Sequence, residues 1–440
     1  MTLLDKLEDG DDTSAEVIAK AVEQKQVGAL AALRRTMRGN VRQYGMIVAL
    51  VVITLLFQIL TTAKLSDGVS LLTPLNVTNV ILQNGYILVL AIGMMLVIIN
   101  GHIDLSVGSL CALVGAVTGI AIVQWHWPWP VVVLAAVAMG AVIGAWQGYW
   151  IAYVKIPAFI VTLGGMLLFR GLAQLVLKGQ SIGPFPQGFV NIAAGYLPNW
   201  LPLHAVQFAG FNGIAIRLRV GDLNGLTLLI GVLAVAALVW SQWRVRQRRH
   251  SYGLPAGPRS LFIAKLAALG AVILAFSFVL ASYNGIPIIG VILIVLIVLY
   301  SFVMNRSVIG RRIYAVGGNE KAAQLSGVNT KANTFWVFVN MGVLAALAGV
   351  IFAARLGAAT PKAGQNFELD AIAAAFVGGA SASGGIGTVV GAIVGALVMG
   401  VMNNGMSMLG VGSDWQLVIK GLVLLAAVAF DVYNKKRAAA

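Results

Sequence analysis

The sequence predicts an all-α fold, a polytopic transmembrane helical bundle of about 10–12 spans that include possible half-helices. Of the 440 residues, 59% are hydrophobic and only 10% are charged, and the mean hydropathy is +0.89. A soluble domain carries about a quarter charged residues, so most of this chain cannot face water. The apolar residues also form runs of about 20, the length that crosses the hydrocarbon core of a bilayer.

Charge and cysteine content exclude several classes of protein. The net charge of +15 comes from Lys and Arg in short clusters between apolar runs, which is typical of membrane proteins rather than nucleic-acid-binding domains. A single cysteine, Cys111, and four histidines predict no disulfide framework and no metal site. Phosphate-binding loops and the motifs of metalloproteases and serine hydrolases are missing, so we expect no catalytic residue and no bound ATP or other cofactor.

Apolar runs predict twelve crossings within a transmembrane region at 44–432. The run at 369–383 is short enough to be a half-helix rather than a full span. The polar first 43 residues contain no apolar stretch of the kind that a cleavable signal peptide requires. The predicted crossings are 44–62, 79–99, 105–123, 131–153, 158–177, 225–243, 261–282, 286–303, 335–356, 369–383, 388–409 and 415–432.

Basic residues predict the orientation of these crossings. With the N-terminus inside, 22 of the 30 Lys and Arg residues fall on cytoplasmic segments and only six on the opposite side. An even number of crossings then places the C-terminus inside as well. The proline- and aromatic-rich external loop either docks a partner or is a plain surface excursion. The predicted segments are a cytoplasmic N-terminal segment at 1–43, a periplasmic loop at 179–224, a cytoplasmic connector at 244–260, a cytoplasmic loop at 304–334 and a cytoplasmic tail at 433–440.

The 304–334 loop contains the pattern of a short capped helix. Asn319 is placed to cap its N-terminus, and the helix dipole favours an acid such as Glu320 in the first turn. Gly327 is placed to end it in the left-handed conformation. A small-residue face suits insertion into a groove on a cytoplasmic partner, whereas an ordinary connecting helix is the alternative. The predicted coupling residues are Asn319, Glu320, Ala322, Ala323, Leu325 and Gly327.

The pattern Glu320-x-Ala322-Ala323-x-x-x-Gly327 resembles the EAA–Gly coupling loop of ABC importer permeases. Further stretches resemble the monosaccharide branch of that family, which carries ribose and xylose, and are most similar to its D-xylose and multiple-monosaccharide permeases. The resemblance covers about 40–180 and 285–435, and the chain departs from it in a longer external loop and an acidic N-terminal extension. The stretches are 103–109, 156–166, 310–319 and 403–408.

The resemblance implies the membrane subunit of an ATP-driven importer in a bacterial inner membrane, rather than an enzyme. It implies a cytoplasmic ABC ATPase that holds the ATP and engages the coupling loop, a periplasmic sugar-binding protein, and a permease homodimer around a central pathway. D-Xylose or a related monosaccharide is the implied substrate. The alternatives are an ion-coupled or facilitative secondary sugar transporter, and a permease of the same fold that carries branched-chain amino acids.

A pathway for a neutral polyol needs hydrogen-bonding side chains inside the membrane, where polar groups are costly unless partnered. Asp104 and Asp370 fit helix caps equally well. Trp125, Trp127 and Trp415 fit an interfacial belt better than a sugar-stacking role. The predicted pathway residues are Gln83, Asn84, Asn100, Asp104, Ser106, Asn403, Asn404 and Gln416.

Charged residues inside the spans need partners. Arg170 requires a counter-charge, for which Asp104 is a candidate, or carbonyl ligands, unless it reaches the interface. Asp104 is the only acid that we expect deep in the membrane, with Asp370 and Asp414 nearer span ends. This scarcity of deep acids argues against an ion-coupled transporter.

Glycine spacing predicts close helix packing. Glycines four residues apart place small residues on one helix face and let two backbones approach. Polar or glycine-rich breaks at 100–108 and 378–387 interrupt apolar stretches, as in transporters whose broken helices line the pathway. The spaced glycines are Gly115 and Gly119, then Gly140, Gly144 and Gly148, then Gly387, Gly391 and Gly395.

Overall fold

The computed structural model describes residues 41–64, 70–203, 223–253 and 258–439. The N-terminal segment up to residue 40, most of the second half of the 179–224 loop and the tip of the 244–260 connector lie outside the described residues. The chain forms two compact units, 1–49 and 50–440. Of the first unit the structure describes only the beginning of one helix, and the following sections concern the second unit.

Fifteen helices and one pair of two-residue strands make up the regular structure of the described residues. The two strands pair antiparallel, with Pro202 opposite Asn224. The elements are α1 (Val41–Lys64), α2 (Pro74–Ile99), α3 (Val107–Val123), α4 (Trp129–Ala152), α5 (Ala158–Leu177), α6 (Gln187–Ala194), β1 (Pro202–Leu203), β2 (Leu223–Asn224), α7 (Gly225–Ser251), α8 (Arg259–Ala281), α9 (Ile288–Arg306), α10 (Val308–Gly318), α11 (Glu320–Leu325), α12 (Thr330–Leu356), α13 (Phe367–Val377), α14 (Val389–Met408) and α15 (Ser413–Ala439).

The polytopic helical bundle is confirmed. Ten helices within the described residues are long and apolar enough to cross a membrane, namely α1, α2, α4, α5, α7, α8, α9, α12, α14 and α15. Helix α3 is apolar but shorter. At 11 residues, α13 is about 16 Å long, so it cannot span a bilayer and has the length of a half-helix.

Prolines fix where several helices begin. Helices α4, α5, α6, α8 and α9 each have proline at the N-cap, and α2 has it at its first residue. Proline has no backbone N–H, and the first turn of a helix has no intrahelical acceptor for one. The helix boundaries therefore follow from local sequence.

The centre of the bundle consists of α2, α12 and α14, which are mostly buried, while α1, α7, α8 and α15 are mostly exposed. The most extensive contact between two helices joins α4 to α12, and we call this contact the glycine seam. A Cβ atom on Gly144 would lie 2.5 Å from the Phe338 carbonyl oxygen, and one on Gly140 would lie 2.4 Å from that of Gly342. These distances confirm the close backbone packing that the glycine spacing predicts.

Several of the segments predicted between or after the crossings are partly helical. Residues 187–194 of the external loop form a helix, because Phe189 is buried beside Phe185, with ring centroids 5.0 Å apart. Helix α7 continues through the arginines of the expected connector to Ser251, since basic side chains favour a helix C-terminus. Helix α15 continues through the expected tail to Ala439, and α10 was not foreseen.

Candidate functional site

The short helix α11 forms as its capping pattern predicts. The Asn319 Oδ1 atom accepts a hydrogen bond of 3.0 Å from the Ala322 N–H. Gly327 has φ of +81°, and the Val328 N–H donates back to the Ala323 carbonyl at 3.0 Å. Six residues alone would not form a stable helix, so these caps and the flanking helices hold α11 in place.

The outward face of α11 is smaller than expected. Leu325 is 91% exposed, and Ala322, one turn earlier, is also exposed. Ala323 is buried against the body of the protein, so the expectation that both alanines form the outer surface is wrong. Ala323 points about 100° away from Ala322, towards the body of the protein, whereas the other residues of α11 are exposed. The coupling role of this face remains a prediction.

An ion pair ties α11 to the turn between α4 and α5. The Lys155 Nζ atom lies 3.0 Å from Glu320 Oε1, and both side chains are 52% exposed. The hydrogen bond from Lys155 lowers the pKa of Glu320 below its usual value, and Thr330 also hydrogen-bonds this carboxylate. The Glu320 carboxylate is therefore ionised at neutral pH, and the pair connects α11 to a loop that lies 165 residues earlier in the chain.

A cavity of about 450 Å³ lies between α11, the 155–159 turn and the first break in the apolar helices. Its polar lining comes from His102, Lys155, Glu320 and Thr334, and the remaining lining is mostly apolar. Burial lowers the pKa of His102, so this imidazole is neutral at pH 7.

Helix α10, in the 304–334 loop, packs where the breaks at 100–108 and 378–387 meet. The Gly385 N–H donates to the Ile99 carbonyl at 2.8 Å. A Cβ atom on Gly317 would lie 1.5 Å from that same carbonyl oxygen and 2.9 Å from the Gly385 nitrogen. We call this three-residue contact the α10 junction. The Tyr314 hydroxyl also donates to the Gly387 carbonyl at 2.7 Å.

The first group of expected pathway residues is buried at the break between α2 and α3. The Asn100 side chain donates to Thr334 at 3.0 Å and accepts from Asn333 at 2.9 Å. Asp104 accepts from the Ser106 backbone and hydroxyl at 2.8 and 2.6 Å. Ser106 in turn accepts from Gln147 at 2.7 Å. These side chains join helices to one another, and Asp104 orders the start of α3.

The remaining expected residues do not form one site with that group. Asn404 is buried and accepts from Asn76 at 2.9 Å, while the Asn84 side chain donates to the Val80 carbonyl within its own helix. Gln416 donates to the Val411 carbonyl at the start of α15. Gln83 is exposed, and Asn403 is partly exposed.

Arg170 has carbonyl ligands rather than an acidic partner. Its guanidinium donates to the Ala363 carbonyl and, at 2.9 Å, to the Gly364 carbonyl. Asp104, the candidate counter-charge, forms its hydrogen bonds with Ser106 instead. Arg170 therefore fixes the chain that enters α13.

Asp104 is not the only buried acid, and its expected depth in the membrane remains a prediction. Glu368 and Asp370 in the first turn of α13 are also buried, and Lys420 of α15 pairs with Asp370. Asp414 is exposed. Sequence reasoning missed Glu368, which precedes the expected half-helix by one residue. A count of acids therefore does not exclude an ion-coupled transporter.

Trp125, Trp127 and Trp415 are all exposed near helix ends.

Among the described residues, no group of three or more His, Cys, Asp and Glu side chains is arranged to hold a metal ion.

Comparison with known proteins identifies this architecture. A family model described as branched-chain amino acid transport system / permease component matches residues 76–248 and 259–428. The chain belongs to this permease family. Since ten helices within the described residues are apolar enough to cross a membrane, the permease is a multi-pass membrane protein.

Individual relatives confirm the resemblance to monosaccharide permeases. The permease is 39% identical to the xylose transport system permease protein XylH of Haemophilus influenzae. The alignment of 398 residues covers 90% of this chain and 98% of that protein. It is equally similar to XylH of Escherichia coli, with 90% and 93% covered. The ribose import permease protein RbsC of Escherichia coli is 35% identical over 362 residues, 82% and 86% of the two chains. No solved structure matches the chain.

Proposed function

We propose that the permease is the membrane subunit of an ATP-driven importer for D-xylose or a related monosaccharide in a bacterial inner membrane, with both termini cytoplasmic. The observation that carries the proposal is α11, a capped helix that exposes Leu325 and is tied to the transmembrane body by Lys155. The two xylose permeases, similar over 90% of the chain, support the substrate.

The contacts of α10 and α11 supply a route for mechanical coupling. A cytoplasmic ATPase would grip the exposed face formed by Ala322 and Leu325. Movement of α11 would then shift α10, whose Gly317 touches both breaks. ATP binds to the separate ATPase subunit, and the permease itself holds no cofactor. A second permease copy and a periplasmic binding protein complete the assembly.

Reconstitution tests the proposal. Proteoliposomes would contain the permease with a candidate ABC ATPase and a candidate sugar-binding protein from the same organism. Uptake of labelled D-xylose would be measured with and without ATP on the ATPase side. We expect ATP-dependent uptake that ionophores do not abolish and that leucine does not inhibit. Full uptake without the ATPase, or uptake that ends when ion gradients collapse, would contradict the proposal.

A matched pair of leucine variants tests the coupling surface. Leu325→Ser removes an exposed apolar contact, so it should leave folding unchanged and abolish co-purification of the ATPase. Leu201→Ser alters a leucine that is also exposed but lies in the 179–224 loop, and it should retain the ATPase. Equal loss in both variants, or in neither, would count against α11 as the coupling helix.

A further inference from the structure

A charged pair joins the half-helix α13 to the mostly exposed helix α15. The Lys420 Nζ atom of α15 lies 2.9 Å from Asp370 Oδ1 and 3.1 Å from Oδ2 on α13. The side chain of Asp370 is 5% exposed and that of Lys420 is 17% exposed. The carboxylate is therefore enclosed, whereas part of the Lys420 side chain is accessible.

A third polar side chain joins this pair. Asn403 of α14 hydrogen-bonds Asp370, and its own Oδ1 atom is buried and has no partner among the described residues. Behind the carboxylate, the Tyr86 ring of α2 stacks on Phe367 of α13, with centroids 4.0 Å apart and planes at 27°. We call Asp370, Asn403 and Lys420 the polar facet.

The accessible side of the polar facet does not suit lipid. Lys420 is the eighth residue of a candidate span, and a charged group at such depth faces a protein interior or a water-filled cavity. The exposed apolar residues Val418 and Leu422 lie about 160° from Lys420 around α15, whereas the exposed Leu417 lies about 60° from it, since successive residues turn by about 100°. Lys420 therefore lies at the edge of the lipid-type face of α15, on the side turned towards α13.

We propose that the polar facet is a contact subsite for the hydroxyl groups of the transported monosaccharide, an inference that rests on the proposed function. The ammonium group donates hydrogen bonds, the Asn403 carbonyl accepts them, and the carboxylate can accept from a sugar that displaces part of the ion pair. The charges of the pair cancel, so the facet suits a neutral polyol. It lies on α13, the half-helix that leads into the 378–387 break and the α10 junction.

Three variants test the subsite in reconstituted permease with its ATPase and binding protein. Asp370→Asn and Lys420→Met each remove one charge, and the double variant Asp370→Lys with Lys420→Asp reverses the pair. The readouts are D-xylose uptake, the uptake ratio of D-xylose to D-ribose, the ATPase rate stimulated by the binding protein, and the melting temperature.

Loss of a hydrogen bond to a charged group should lower uptake about tenfold in each single variant and change the xylose-to-ribose ratio. Stimulated ATPase activity should persist. The reversed pair should regain the wild-type melting temperature but not wild-type uptake. Restored uptake and an unchanged sugar ratio in the reversed pair would show a purely structural ion pair and overturn the proposal.

Asn403→Leu keeps the inference testable if the charge variants do not fold. It should change the sugar ratio with little loss of stability. Asn340→Leu on α12, which removes the hydrogen bond from the Tyr300 hydroxyl, should instead lower the melting temperature without changing the ratio. Wild-type permease that moves leucine and no sugar would overturn both the subsite and the proposed function. Wild-type sugar uptake with an unchanged ratio in Asn403→Leu would overturn the subsite alone.

Discussion

The glycine seam and the α10 junction use the same device for different purposes. In both, a glycine lets one backbone touch another, Gly144 against Phe338 in the seam and Gly317 against Ile99 in the junction. The seam runs along two full spans and repeats over successive turns, so the two helices form one body. The junction joins the end of a short helix to two breaks, so it can transmit a movement. The same glycine contact is therefore rigid between two full spans and able to transmit movement at the end of a short helix.

The largest expected effect comes from breaking the seam. Gly144→Leu places side-chain atoms where a Cβ already meets the Phe338 carbonyl at 2.5 Å, and we expect a loss of stability above about 3 kcal/mol. Thermal unfolding of the purified permease measures it. Gly164→Leu on α5 is the control, because a Cβ there has no neighbour within 4 Å. Similar melting temperatures for the two variants would refute close packing at the seam.

A smaller loss of stability with a large loss of coupling is expected at the α10 junction. Gly317→Ala must displace the Ile99 carbonyl, which we expect to cost about 1–3 kcal/mol. Stimulated ATPase activity should become independent of sugar uptake, as a ratio of ATP hydrolysed to sugar moved would show. The adjacent Gly318→Ala has open space around its Cβ and should behave as wild type. If the two alanine variants hydrolysed the same amount of ATP per sugar moved, the α10 junction would not transmit the movement.

The ion pair on α11 should contribute less to stability than either glycine contact. Lys155 and Glu320 are half exposed, so Lys155→Met should cost less than about 1 kcal/mol while reducing sugar uptake per ATP hydrolysed. Lys178→Met provides the control, since Lys178 is also exposed and also has a positive φ, of 50°. A change in melting temperature with unchanged coupling would assign the pair a structural role only.

The smallest effect concerns pH. Because burial lowers the pKa of His102 below 6.5, the unfolded chain binds more protons than the folded chain just below that pH. The contribution of His102 to stability is therefore complete above pH 6.5 and is lost as the pH falls towards its folded pKa. Melting curves at pH 7.5 and 5.5 should show a decrease that is larger in wild type than in His102→Gln, by about 1 kcal/mol or less. A larger decrease in the variant would contradict this sign.

The sequence by itself determined the class of protein and its local elements. Low charge and long apolar runs left only a membrane bundle, because a bilayer core accepts few polar groups. Prolines fixed helix starts, and Asn319 and Gly327 fixed the ends of α11, since capping depends on neighbours in the chain. The glycine spacing likewise identified the faces that pack.

Only the tertiary structure decided which distant groups meet. Arg170 has the carbonyls of residues 363 and 364 as ligands, Asp370 pairs with Lys420, and α10 touches both breaks. Each of these contacts joins segments far apart in the sequence, so no local propensity or periodicity encodes the partner. The partner is set by how packed helices place polar groups that lipid cannot solvate, and this depends on the whole bundle.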